Sequence, residues 1–569
     1  MTKHIEAMKL LQRHFDIALE TPDGIKKLRE LILTLAVQGK LVPQDPKDQP
    51  ASELLKEIEA EKKRLVKEGK IKQNTRSRDD AKEIKASEVP YELPKDWEWV
   101  RLREICHDWG QKTPDKKFAY IDVGSIDNSK GVVSSDVQLL ESVEAPSRAR
   151  KIVRNGTVIY STVRPYLLNV AIVDKEFESE TIASTAFAVV HPFSGINNKF
   201  IYQYLRSPEF IKYVERKMKG VAYPAINDGD FFQGVFPLPP LAEQRRIVAK
   251  IDQLMALCDK LEAERNERNQ KRLTVHTAAM NRLLTAPDKT DFDKSWHFIT
   301  RHFGELYSVP QNVMELKKAI LQLAVMGKLV PQDPKDQPAS ELLKEIEAEK
   351  MRLVKEGKIK KSEPLPPIKP EEIPYDVPKG WEWVKLQDAL DVRDGTHDSP
   401  KYVDSGIPLV TSKDFINGKI DFSNAKRISV DDHNKIKMRS HVENEDILFS
   451  MIGGNIGNMV MVNAYKEFSI KNVALFKYYD KAKIVPNYLM VYLKGMASEI
   501  QSKASGGAQP FVSLTFLRNH IFPLPPLAEQ KRIVAKIDQL MALCDTLDKQ
   551  ISSATKKQTA ILNAVLAKV

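Results

Sequence analysis

Cysteine is nearly absent from this chain, with three in 569 residues and no Cys-x-x-Cys pair. A disulfide framework or a zinc site is therefore not supported, and Cys258 and Cys544 read as small buried hydrophobes. No apolar run is long enough to span a bilayer. The N-terminus, Met1-Thr-Lys-His-Ile-Glu, lacks the apolar core of a signal peptide, so a cytosolic chain is expected. Catalytic signatures are missing too. There is no Gly-x-x-x-x-Gly-Lys-Ser/Thr loop, no His-Glu-x-x-His, and no Asn/Asp-Pro-Pro-Tyr/Phe tetrapeptide of the kind amino-methyltransferases use. Gly453-Gly-Asn-Ile-Gly457 follows a short strand without βαβ context. Glu215-Arg-Lys217 fits a nuclease Glu-x-Lys fragment, but such triplets are common in a lysine-rich chain. An enzyme acting alone is not expected.

What is present is a head-to-tail duplication. Arg13-His-Phe15 returns as Arg301-His-Phe303, and Leu41 to Lys72 returns as Leu329 to Lys360 with one substitution, Lys63 against Met351. Both lie at an offset of 288 residues. Tyr91-Glu-Leu-Pro-Lys-Asp-Trp-Glu-Trp-Val100 matches Tyr375 to Val384 at 284, and Leu238 to Asp259 matches Leu524 to Asp545 at 286. The frame is copied, while the modules at 101–236 and 385–522 show no obvious similarity. The net charge of +11 and pI near 9.1 permit nucleic-acid binding. Residues 91–237 nevertheless hold 19 basic and 19 acidic side chains, and 375–523 hold 19 and 17. Any contact with DNA must come from arranged patches.

Each half begins with helical segments. Thr21 as N-cap with Pro22 at the first position predicts a helix ended by Gly39, repeated from Ser308 to Met326 and ended by Gly327. The polar loop Pro43-Gln-Asp-Pro-Lys-Asp-Gln-Pro50 precedes a helix near Ser52–Glu68 with Gly69 as stop. Its narrow stripe of Leu54, Leu55, Ile58 and Leu65 fits either a solvated helix or a docking face. Charged and proline-rich linkers follow at Gln73 to Pro90 and Ser362 to Pro370. The modules read as mixed. Strands are expected at Thr157–Val163, Leu168–Val173, Ala186–Val190, Ile407–Thr411, Asp446–Ser450, Asn458–Val462 and Val473–Tyr478, and helices at Lys199–Lys217 and Asn487–Ala504. Trp97, Trp99, Trp381 and Trp383 anchor each module's entry.

Two prolines then stop each module, and a long helix starts with Glu243 or Glu529 in its first turn. Ile247, Ile251, Leu254, Cys258 and Leu261 step as a coiled-coil seam. Glu262 to Arg272 interrupts it, and Leu273, His276, Met280 and Leu283 resume it. The second copy continues through Ile551, Ala554, Gln558, Ile561 and Val565. Each helix spans roughly 60–68 Å at 1.5 Å per residue, and antiparallel pairing with one module at each end is the economical arrangement.

The duplicated Pro-Leu-Pro-Pro-Leu-Ala-Glu-Gln helices and two dissimilar modules entered through Trp-x-Trp carry a resemblance. Ser147-Arg-Ala-Arg150, Tyr160-Ser-Thr-Val-Arg-Pro165 and Asp446-Ile-Leu-Phe-Ser450 add to it. Over essentially its whole length the chain resembles the specificity subunit of type I restriction–modification systems. The resemblance implies an α+β multidomain fold. It has two mixed α/β target-recognition domains, separated by an antiparallel coiled coil of two long helices, on duplicated helical frame segments with pseudo-two-fold symmetry. The expected divisions are a frame segment and linker at 1–90, target-recognition domain 1 at 91–237, and a spacer helix at 238–285. A second frame segment and linker at 286–374, target-recognition domain 2 at 375–523, and a spacer helix at 524–569 complete the chain.

The resemblance further implies a non-catalytic subunit with no cofactor of its own. Each domain reads one half of an asymmetric bipartite DNA site. Two methyltransferase subunits bring S-adenosylmethionine, and two restriction subunits bring ATP- and magnesium-dependent translocation and cleavage. Half-sites on one face of DNA lie about 34–36 Å apart per helical turn, so helix length is expected to set the gap. Arg and Lys suit guanine, and Asn and Gln suit adenine, in the major groove. Candidate DNA contacts are Arg148, Arg150, Arg164, Tyr166, Lys219, Tyr223 and Asn227 in the first module. In the second they are Thr396, His397, Ser412, Lys413, Asn455 and Gln509, with exposed or structural roles open for each. Arg265, Arg268 and Arg272 on one helix face read as a solvated face, or as contacts to phosphate or a partner. A coiled-coil adaptor joining two protein-binding modules without DNA contact, and a self-sufficient methyltransferase, are the competing readings.

Overall fold

The computed structural model describes residues 21–71, 84–135, 137–175, 177–464, 466–506 and 510–566. It divides into two compact units, Met1–Glu267 with Thr555–Val569, and Arg268–Ala554.

In the first unit, α1 (Gly24–Val37) is not capped by Thr21. A turn at Pro22–Asp23 intervenes, and Asp23 takes the cap position. Thr21 is buried, and its carbonyl accepts from Gly24 N at 3.1 Å and from Arg265 Nη1 at 2.8 Å. The helix ends as expected. Gly39 adopts φ 67°, while Lys40 N donates to Leu35 O and Gly39 N to Ala36 O, a left-handed stop that satisfies the last carbonyls. α2 (Ala51–Lys67) buries Ala51, Leu54, Ile58 and Leu65. Leu54 Cδ1 lies 2.4 Å from where a Cβ on Gly195 would stand, and Ser194 N donates to Glu61 at 2.7 Å. The stripe is thus spent on the chain's own module.

The module opens on β1 (Glu98–Arg101) and continues through β2 (Cys106–His107), β3 (Phe118–Ile121), β4 (Gln138–Leu140), β5 (Ala149–Ile152) and β6 (Val158–Ser161). β7 (Val170–Ile172), β8 (Glu180–Ser184) and β9 (Phe187–Pro192) follow. One sheet runs β4-β3-β8-β5. The other runs β2-β9-β6-β7, extended by the short strands Val132–Val133 and Ile126–Asp127. The single helix expected at Lys199–Lys217 is two, α3 (Asn198–Leu205) and α4 (Pro208–Lys217), because Ser207 caps a new start at Pro208. β10 (Val235–Leu238) returns antiparallel to β1, with Glu98 opposite Leu238 and Arg101 opposite Val235. It hands over to α5 (Leu241–Leu284).

The second unit repeats the plan with α6 (Pro310–Val325), α7 (Ala339–Lys355) and β11 (Glu382–Lys385). Its module holds β12 (Leu390–Asp394), β13 (Tyr402–Val410), β14 (Lys426–Ile428), β15 (Ile447–Ser450), β16 (Met459–Met461), β17 (Ser469–Ile470), β18 (Val473–Tyr478) and α8 (Pro486–Ser502). β19 (Ile521–Leu524) pairs β11 in the register of β1 and β10, and α9 (Leu527–Leu566) follows. The sheets run β12-β18-β15-β16 and β14-β13-β17. The first matches β2-β9-β6-β7 strand for strand, all antiparallel. In the second, β13 pairs β17 parallel and β14 antiparallel, as β3 pairs β8 and β4. Two modules without visible sequence similarity share one topology.

The long helices contain 44 and 40 residues, roughly 66 and 60 Å at 1.5 Å per residue. The first unit holds the beginning of α5 and the end of α9, and the second unit holds the converse. Ile247, Ile251 and Cys258 are buried in the first unit's core, and His276, Met280, Leu283, Ile533, Ile537 and Cys544 in the second. The seam expected late in α9 is out of phase. Ala554 and Ile561 face outward and Leu562 is buried, because the helix steps four residues after Ile551 where a three-residue step was expected. The side chain of Val565 lies outside the described residues.

Each frame is locked by the same polar clasp. Trp97 Nε1 donates to Glu243 Oε2 at 2.9 Å and Gln44 Nε2 to Oε1 at 3.0 Å. Trp381 and Gln332 treat Glu529 identically, at 2.9 and 3.0 Å. Arg246 forks onto Asp48, and Arg532 onto Asp336. Desolvation pushes both glutamate carboxyls up, and their two donors oppose it. Arg29 on α1 reaches Asp259 and Glu262 of α5, where Lys317 on α6 reaches Asp545 and Asp548 of α9.

Candidate nucleic-acid interface

In the first module, strand ends gather a set of loops beside the start of β9. The segment after β6 turns through Pro165–Leu167 between two left-handed residues, Arg164 at φ 49° and Leu168 at φ 53°. It is stitched to the loop after α4. Arg164 N donates to Pro224 O at 2.8 Å, Ile226 N donates to Thr162 O at 3.0 Å, and Val163 bridges Ala225. Lys219 and Ala225 exchange both main-chain bonds, leaving 220–224 as a tip. Thr162 N bonds to Ala186 O, and Thr185 N to Arg148 O, which brings Arg148 to the same edge.

On this edge Arg148, Arg164, Tyr166, Lys219 and Tyr223 are exposed. The Arg164 guanidinium lies 4.7 Å from the Tyr223 ring centroid, a cation–π contact, and its Nη2 approaches Ala222 O at 3.5 Å. Arg150 is half-buried and donates to Ala149 O at 2.8 Å. Asn227 is a helix cap. Its Oδ1 accepts from Asp230 N at 2.8 Å and its Nδ2 donates to Asp230 Oδ2 at 2.7 Å, so both ends of the carboxamide are committed. Lys151 beneath is buried, donating to Phe187 O at 2.6 Å and Asp228 at 2.5 Å; it ties β5 to this loop.

The second module repeats the arrangement. Gly453 N donates to Pro510 O at 2.8 Å, Val512 N to Met451 O at 2.8 Å, and Ile452 bridges Phe511. Asn455 is exposed in the short turn Gly453–Asn455. Gln509 lies outside the described residues. Thr396 is only 9% exposed. Its N–H donates to Ile470 O, and its hydroxyl accepts from Asp398 N. His397 Nε2 sits 2.8 Å from Asp394 Oδ2, and Nδ1 sits 3.2 Å from Asn472 Oδ1. Asp394 also pairs with Arg439. Ser412 is half-buried and Lys413 exposed, in the turn after β13. Away from both faces, Arg265 holds Thr21 and Arg272 donates to Asn269.

Exposed Val221, Leu167 and Phe511 at these tips, and Lys471 beside Ser399, were not among the expected residues. A signal for the tips existed. Gly220-Val-Ala-Tyr-Pro224 and Gly506-Gly-Ala-Gln-Pro510 share Gly-x-Ala-x-Pro at the helices' own offset of 286. The chemistry on offer is hydrogen-bond donation and stacking. No group of His, Cys, Asp and Glu able to hold a metal occurs among the described residues, and no described helix is long and apolar enough to cross a membrane.

The family model for the type I restriction modification DNA specificity domain matches twice, at residues 94–269 and 378–556. The chain is 36% identical over 574 residues to the EcoAI type I restriction enzyme specificity subunit of Escherichia coli, covering 95% of this chain and 93% of that protein. It is 32% identical over 599 residues to the EcoEI specificity subunit of the same species, covering 98% of each. A solved chain from work on complex assembly and conformational transition of the type I R-M system is 25% identical. That match covers 84% of this chain and 98% of the other, with a TM-score of 0.50. Two matched copies of the specificity domain, near-full-length relatives and one topology used twice place this chain in the family of type I restriction–modification specificity subunits, as a non-catalytic subunit with two target-recognition domains.

Proposed function

We propose that residues 91–237 and 375–523 each read one half of an asymmetric bipartite DNA site through the loop faces described above. The observation that carries this is the pairing of like scaffolds with unlike tips. Arg164 and Lys219 stand where the second module has Gly453 and Ser505, so two half-sites of different sequence follow from one fold. Arg148, Arg164, Tyr166, Lys219 and Tyr223 are the contacts favoured in the first half. Ser412, Lys413, Asn455 and Gln509 are favoured in the second. Arg150, Asn227, Thr396 and His397, which make side-chain hydrogen bonds within the chain, serve to shape the loops.

The duplicated frames offer equivalent docking to two methyltransferase subunits, which bring S-adenosylmethionine, and the assembly recruits two restriction subunits that use ATP and magnesium. α5 and α9 set the gap between half-sites. Inserting four residues in both adds ~6 Å and is expected to lengthen the recognised gap by one or two base pairs. Methylome sequencing of cells carrying the system gives the motif and the gap directly, and an unchanged gap would sink the ruler. Binding of duplex DNA that weakens steeply with salt is expected. Salt-independent protein binding without DNA affinity would favour the adaptor.

A further inference from the structure

We propose that Arg164 is a specificity-determining residue that recognises a guanine in the half-site read by the first module. This rests on the DNA-reading function proposed above. The two modules are in register at this loop by their own hydrogen bonds. The N–H of Arg164 donates to Pro224 O and that of Gly453 to Pro510 O, each at 2.8 Å. The residues two before them, Thr162 and Met451, accept from Ile226 and Val512. Both positions are left-handed, at φ 49° and φ 74°, and the loop tips begin at Gly220 and Gly506, at φ 99° and 105°.

Glycine suits such a backbone and a long side chain does not. The second module uses glycine there, and the first does not. A non-glycine residue held in this region raises the question of what its side chain does. Among the described residues no ion pair of the chain's own answers it. Arg164 is exposed, and among the described residues no carboxylate pairs with it. Its side-chain contacts are the Tyr223 ring and a long approach, 3.5 Å, to Ala222 O. Tyr223 is itself 70% exposed, so the stack is a shelf on the surface that holds a planar guanidinium within reach of a ligand. An oriented guanidinium edge matches guanine O6 and N7 in the major groove. Gly453 has no side chain, so the second module cannot make this contact, and the recognition is confined to one half-site.

The test uses the full chain assembled with its methyltransferase subunits, in wild-type, R164G and R164N forms, glycine and asparagine being tolerant of left-handed backbone. Urea-dependent hydrogen exchange in peptides covering 158–170 is expected to show both variants at or above wild-type protection. Competition binding with duplexes carrying 7-deazaguanine, one substituted position at a time, is expected to cost wild type roughly 5- to 150-fold at one guanine. Both variants should be insensitive there while keeping full discrimination in the other half-site. Three results overturn the proposal. One is protection lowered in both variants, which assigns Arg164 to folding. Another is unchanged 7-deazaguanine sensitivity in the variants. The third is loss spread over both half-sites. Failure of the wild-type complex to bind any duplex in a salt-dependent manner overturns the DNA-reading function itself, and is separable from the others because it precedes any substitution.

Discussion

Replacing Glu243 by alanine tests whether the polar clasp carries the frame. The substitution removes the acceptor that Trp97 Nε1 and Gln44 Nε2 reach at 2.9 and 3.0 Å. The indole is buried at 4% exposure, so its N–H finds no water in compensation. Hydrogen bonds to a charged acceptor contribute about 1.5–3 kcal/mol each. Against them stands desolvation of the carboxylate, which raises its pKa and is relieved when the charge is deleted. The net expectation is a loss of about 2–4 kcal/mol. Glu529→Ala should do the same to the second unit, because Trp381 and Gln332 hold the same distances. A two-unit chain has no single two-state midpoint, so the assay is urea-dependent hydrogen exchange of the full chain. It is read in peptides covering 41–50 and 94–100 for one unit, and 329–338 and 378–384 for the other. A loss below ~1 kcal/mol, or protection lost elsewhere while 94–100 stays protected, refutes the clasp.

Burial holds His520 down to about 4, below the usual ~6.5. The unfolded chain therefore binds the proton first, and stability present above pH 6.5 is lost as pH falls toward 4, by at most about 2 kcal/mol at pH 5. His520→Asn should flatten that part of the second unit's melting profile, and an unchanged slope counts against it. Arg29→Ala and Lys317→Ala each break two partly exposed ion pairs, and hydrogen exchange in the unit concerned should register less than about 1 kcal/mol. Gly327→Ala places a Cβ 2.3 Å from Pro378 Cγ at a φ of 67°. Chemical denaturation should show the second unit weakened by about 2 kcal/mol or more, well beyond the surface pairs.

The elements legible in the sequence are those governed by neighbours along the chain. Gly39, Gly69 and Gly327 stop helices as their position implies, and Glu243 starts one. The strands Val158–Ser161 and Val473–Tyr478 lie inside runs of β-formers. β3, β5 and β8 were not legible. Phe118-Ala-Tyr-Ile121 is buried on both faces and so shows no alternation, and Ala149-Arg-Lys-Ile152 carries charge that only its distant partners, Phe187 and Asp228, explain. Ile561 and Leu562 are adjacent apolar residues, and a difference of one residue in step decides which turns inward. The interface was legible as a set of residue types, but the loops that bear them meet through backbone bonds between positions some 60 residues apart, such as Arg164 to Pro224. That information resides in no local window.

The strand pair that closes each module has a consequence for how such a chain tolerates change. Glu98 faces Leu238, and Glu382 faces Leu524, and opposed residues in an antiparallel ladder lie about 4.5–5.5 Å apart. The chain departs from the frame and rejoins it within one strand spacing, whatever length it travels in between. Insertions or deletions in the loops between those strands leave the first turn of the long helix in place so long as the module keeps its few other frame contacts, such as Gly195 against Leu54 and Asn197 N on Gln244. Each module is thus wired like a plug with two adjacent pins and a small collar. New specificity can be acquired by changing the loops beyond them, while the surfaces that partners grip stay mechanically unaware of the exchange.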